Sequence, residues 1–135
     1  MHLPIAAFLS AAFLYGEPTS PPACLWQAKE EGFIVRFHPC DGGLCAVGAG
    51  VPKSRTKPKR EEVCGKPIIR SFAWNGRENR WEGKLSPPGK NMELKATLVS
   101  ESTGTLTLRG KLLTISKTIT LVPFSGSVTA DCIAE

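Results

Sequence analysis

From residue 24 onward, apolar and polar positions alternate in short runs separated by turn residues, the period of half-buried strands rather than of helices. Phe33, Val35 and Phe37 fall on one face, and Ile34, Arg36 and His38 on the other. Met92, Leu94, Ala96 and Leu98 oppose Glu93, Lys95 and Thr97. Leu106 and Leu108 oppose Thr105, Thr107 and Arg109. Ile115, Ile119 and Leu121 share their face with one cation, Lys117, against Thr114, Ser116, Thr118 and Thr120. Turns are marked by Asp41-Gly42-Gly43, Asn75-Gly76, Ser86-Pro87-Pro88-Gly89 and Ser102-Thr103-Gly104. The pattern predicts strands over 24–28, 32–39, 44–51, 67–74, 80–85, 92–98, 105–109 and 115–121, with no amphipathic helix longer than two turns.

One apolar face per strand is the mark of an antiparallel sheet wetted on one side. About eight such strands hide that face, and lose their free edges, by closing on themselves. The expected fold is all-β: an antiparallel up-and-down, lipocalin-like barrel forming a single domain over 24–135. A two-sheet sandwich is the competing architecture. Eight strands enclose an interior that side chains fill or that holds one small ligand.

Residues 1–16 carry no Lys, Arg, Asp or Glu, and 3–15 are an apolar run. That run is short of the about 20 residues a spanning helix needs. It fits the core of a secretory signal, with 16–23 as a Pro-rich exit, so residues 1–23 read as a leader and the compartment as periplasmic or secreted. A helix or strand of the domain is the other reading of this run.

Charge adds one feature. The 135-residue chain has 17 Lys+Arg and 12 Asp+Glu. Lys53, Arg55, Lys57, Lys59 and Arg60 supply five of the cations, leaving 12 to balance 12 acids. The excess therefore resides in a basic loop at 52–62, of which 53–60 are expected to be mobile and to contribute little to folding. A domain-wide electropositive face is not expected. No aromatic stacking platform lies in the loop, so no nucleic-acid partner is expected, and the loop's expected partner is an anionic envelope surface.

Five cysteines suit an exported domain, and their odd number leaves one unpaired within the chain. With Gly42-Gly43 as a two-residue hairpin tip, Cys40 faces Cys45 across a non-hydrogen-bonded pair, a separation suited to a disulfide. In a closed barrel the first and last strands meet, which suggests Cys24–Cys132 as a second bridge and leaves Cys64 free. Catalytic chemistry finds little support. There is no Gly-x-Ser-x-Gly elbow. His38 and Cys40 share a strand face, but a strand His beside a disulfide accounts for them. His38, Cys40, Cys45 and Cys64 are the residue types of a zinc site, with a loose spacing that an oxidising compartment disfavours. Glu30-Glu31 and Glu61-Glu62 fall in turns and loops. No metal, cofactor or catalytic residue is expected.

Four segments resemble the DUF2147 family of small exported bacterial lipocalin-like barrels. They are Leu25-Trp26, the run from Val35 through Pro39-Cys40 to Leu44-Cys45, Pro67 to Phe72 with Trp81-Glu82-Gly83, and Leu106 to Gly110. The resemblance spans residues 25–124 and implies a barrel and export, without a reaction. Trp26, Phe37, Trp74 and Trp81 stand on strands where they could line an interior site, an indole N–H serving an enclosed ligand. The expectation is a non-catalytic exported protein that holds a small apolar or amphipathic molecule in the barrel. The alternative is an envelope structural or interaction protein with a filled barrel, acting through its basic loop.

Overall fold

The computed structural model describes residues 25–135; the leader reading and Cys24 fall outside the described residues. Each predicted strand is present. The strands are β1 (Leu25–Ala28), β2 (Ile34–Cys40), β3 (Gly43–Pro52), β4 (Pro67–Asn75), β5 (Arg80–Leu85), β6 (Leu94–Ser100), β7 (Leu106–Leu112), β8 (Ile115–Phe124) and a two-residue β9 (Ile133–Ala134). A helical turn, Arg60–Val63, lies between β3 and β4. The sheet order runs β2-β1-β8-β7-β6-β5-β4-β3, and a β2–β3 pairing closes it into an eight-stranded antiparallel up-and-down barrel. The sandwich alternative is not what forms. β9 adds in parallel to the end of β3, at Val51 and Pro52.

The alternating apolar positions account for the interior. Phe33, Leu44, Ile68, Ile69, Phe72, Leu85, Leu94, Leu98, Leu108, Ile119 and Leu121 are fully buried in one cluster. The filling is tight: a Cβ on Gly83 of β5 would stand 2.4 Å from Phe72 Cδ1 and 2.7 Å from the Arg70 carbonyl oxygen. A methyl group there has no space, so glycine is required by close approach.

The first hairpin departs by one residue from expectation. Its tip is Asp41-Gly42, both left-handed at φ 44 and 75, and Cys40 pairs with Gly43 while Cys45 pairs with His38. The Cys40–Cys45 disulfide forms as expected, but along a diagonal, with the Cα atoms 5.8 Å apart. Gly43 is needed in the strand, not in the turn. A Cβ there would lie 2.3 Å from the Phe72 carbonyl oxygen of β4.

The Cys24–Cys132 expectation is corrected: Cys132 bonds Cys64, across a Cα separation of 6.2 Å. Barrel stagger is the reason. Leu25 pairs with both Phe124 and Arg36, and Arg36 with Val47, so β8 ends level with the middle of β3. The tail after Phe124 then has only a short distance to cross to the outer face of β3. Val128 packs on Gly50, the partner of Ile34, and the Cys132 carbonyl accepts from Val51 N–H at 3.0 Å. This explains why Ile34 is fully buried yet outside the interior cluster. The next stretch of chain on that side is 63–66, hydrogen-bonded to Gly48 on both its N–H and its carbonyl, and it carries Cys64. The two disulfides fit an oxidising compartment.

The basic loop is also held rather than free. Arg55 donates to the Glu30 carbonyl and lies against Gly32, and Arg60 donates to the Asp131 carbonyl at 3.3 Å. Its last turn is capped by Glu62, which accepts from Lys59 N–H at 2.8 Å, and anchored by Val63, fully buried in the interior cluster. The expectation of a mobile loop covered 53–60 and so stopped short of the Val63 anchor.

Candidate functional site at the barrel mouth

An up-and-down barrel has two ends. At one, the connections 29–33, 53–66 and 86–93 and the β7–β8 turn surround a mouth. The 53–66 segment reaches over it, with the Glu62 carboxylate against Gly89 of the 86–93 connection. Beneath lies a pocket of ≈ 740 Å³. Its apolar floor is formed by Phe33, Met92, Leu94 and Ile119, and its rim by Lys57, Lys59, Lys90 and Lys117 with Glu31 and Glu62. Phe33, Leu94 and Ile119 are buried members of the core, so the floor of the pocket is the top of the barrel's packing.

Lys117 is the cation that interrupted the apolar face of β8 in the sequence pattern. Its position between Ile115 and Ile119 turns it toward the mouth, where Nζ lies 3.2 Å from Glu31 Oε2. The other oxygen, Glu31 Oε1, is buried without a hydrogen-bond partner. A carboxylate oxygen shielded from solvent and left unsatisfied is costly, and a donor entering the pocket would relieve it.

The four aromatic residues named from the sequence are not in the lining of this pocket. Phe37 is buried in the core, and Trp26 and Trp81 pack against it, half-buried. Trp74 and Trp81 pair across β4 and β5 with an edge-on ring contact at 5.5 Å, beside the β4–β5 turn. They lie toward the end opposite the mouth. The Trp74 indole N–H is buried without a partner.

Among the described residues, no group of three or more His, Cys, Asp or Glu side chains is placed to hold a metal ion. His38 stands opposite Cys45, whose sulfur is committed to the disulfide, and its Nδ1 lies 3.1 Å from the Pro39 carbonyl. Glu82 lies on the outer surface beside Arg80. The Arg80 side chain and then the Asn75 amide hydrogen-bond it and hold its pKa below the usual carboxylate range.

Pairing the strands gathers a local row of cations that the charge count along the chain does not show. Arg70, Lys84, Lys95 and Lys111 are successive cross-strand neighbours on β4, β5, β6 and β7. Along the chain these cations are balanced by acids, but across the sheet they form a row.

Compared with protein-family models, curated proteins and solved structures, the chain gives no match.

Proposed function

We propose that the protein is a non-catalytic carrier that holds a small amphipathic molecule in the mouth of its barrel, acting in the periplasm or as a secreted protein. The observation that carries this reading is the mouth pocket, with its apolar floor of Phe33, Met92, Leu94 and Ile119 beneath a charged rim. The floor would receive an apolar chain or ring, releasing water from both surfaces. On the rim, Lys57, Lys59, Lys90 and Lys117 outnumber Glu31 and Glu62, which favours an acidic head group; a hydroxyl on that head would satisfy Glu31 Oε1. The two disulfides and the uncharged apolar run at 3–15 in the sequence support an exported setting.

The test is a titration with a medium-chain fatty acid and with its methyl ester, followed by calorimetry. Saturable 1:1 binding of the acid, weaker binding of the ester, and loss of both in Met92→Trp, which fills the pocket, are expected. Absence of saturable binding by either compound would refute the carrier reading. The Trp residues lie at the far end, so a change in their emission is not the measure of occupancy.

A further inference from the structure

The β7–β8 turn is built against its own residue preferences. Leu112 pairs with Ile115, leaving a two-residue tip in which Leu113 is left-handed at φ 54. Glycine or asparagine ordinarily occupies such a position, because a Cβ is strained there. Leu113 is also 92% exposed, and its neighbours Leu112 and Ile115 are 40% and 45% exposed. These are the exposed large hydrophobic side chains among the described residues. A leucine that is both strained and hydrated gains nothing from the folded chain by itself, and three apolar side chains on one protruding tip are a patch rather than scattered surface residues.

The charge beside this tip is one-sided. Lys111 precedes Leu112, and through it the row Arg70–Lys84–Lys95–Lys111 runs around the outer rim at the same end as the mouth. With strands about 4.8 Å apart, four cations stand within about 15 Å. Arg109 and Arg80 lie on the same face, two residues from Lys111 on β7 and four from Lys84 on β5. Six cations thus face two carboxylates, Glu93, which bridges Arg70 at 2.7 Å and Lys84 at 4.0 Å, and Glu82, which bridges Arg80 at 2.7 Å. Like charges directly opposite across strands weaken a sheet, so the row is a cost to the isolated fold.

We infer that this end of the barrel docks on an anionic lipid bilayer, with Leu112, Leu113 and Ile115 entering the head-group boundary and the Arg70–Lys111 row seated on acidic head groups. The two chemistries are the two halves of an interfacial anchor, apolar area to bury and cations to meet a negative surface. Ile115 and Lys117 also line the mouth pocket, so docking turns that pocket toward the bilayer. The inference does not rest on the carrier reading, because docking is measured with no ligand added.

The experiment is flotation of the full chain with phosphatidylcholine vesicles with and without phosphatidylglycerol. Binding is expected only to the anionic vesicles and to weaken as salt rises. Leu112→Ser/Leu113→Asn should fold at least as well, since asparagine accepts the left-handed conformation, and should bind about tenfold more weakly. Lys84→Gln/Lys95→Gln/Lys111→Gln should also fold and should lose the dependence on anionic lipid. In Leu113→Trp, emission at the tip should shift to the blue on adding anionic vesicles. The inference is overturned if the wild type ignores anionic vesicles, or if the leucine variant binds as tightly as the wild type. It is equally overturned if the tip pairs two copies instead, seen as a dimer that the leucine variant dissociates and a tip that stays wet on vesicles.

Discussion

Removing the Cys64–Cys132 disulfide should cost far more stability than removing Cys40–Cys45. The two bridges close loops of very different size, with sequence separations of 68 and 5. On the chain-entropy account, the longer link restricts the unfolded ensemble by about 15 cal/mol/K and the shorter by about 7 cal/mol/K. At 25 °C these correspond to about 4.4 and about 2.1 kcal/mol, a difference of about 2.3 kcal/mol. The longer bridge also pins the tail whose Val128 lies over Gly50, so its loss adds to the difference rather than offsetting it. The measurement is urea unfolding of Cys64→Ser/Cys132→Ser and Cys40→Ser/Cys45→Ser, both carrying Cys24→Ser to prevent thiol exchange. The first variant should also show the larger m-value, because its unfolded chain is released to expand. Equal losses, or a larger loss from the small loop, would refute the reasoning and show that native strain or residual structure outweighs loop entropy.

Gly83→Ala should destabilise the barrel by about 2 kcal/mol, because the new methyl group meets Phe72 and the Arg70 carbonyl; thermal unfolding checks it. Lys95→Glu places an acid between Lys84 and Lys111 and should stabilise by about 0.5 kcal/mol, an effect that shrinks in high salt when the melting temperature is followed across ionic strength. The lowered pKa of Glu82 contributes stability that is present above the unfolded carboxylate value and is lost as pH falls through the folded one. Glu82→Gln should therefore flatten the acid limb of stability below about pH 4, read from melts in acidic buffers, and a limb unchanged by the substitution would contradict the assignment.

The strands were legible because each carries its own period-two pattern, a local property that needs no knowledge of its neighbours. The barrel followed from their number and their single apolar faces. Quantities set between strands were not legible. Asp41-Gly42 and Gly42-Gly43 are both plausible hairpin tips, and what decides between them is the approach of Phe72 from a strand nearly thirty residues away in sequence. The partner of Cys132 depends on the stagger that brings the end of β8 level with Val47. The cationic row vanishes in a linear count because Arg70, Lys84, Lys95 and Lys111 become neighbours only through pairing. For the site, the aromatic residues drew attention to the end opposite the mouth. The signal for the open end was smaller: Lys117, a single cation on the apolar face of β8, now found beside Glu31 at the mouth.

The tail has a consequence for how the chain ages. β3 runs on to Pro52, beyond the reach of β2 and β4, and β9 supplies the pairing at its final residues. A protease that cut the chain behind Phe124, once the Cys64–Cys132 bridge was reduced, would leave the eight barrel strands in place while stripping the cover from Val51 and from the outer face of Ile34. The trimmed molecule would present a short raw edge beside an apolar patch, the combination on which neighbouring copies stack. Wear at the C-terminus would thus be registered first as loss of solubility, with the barrel itself still intact.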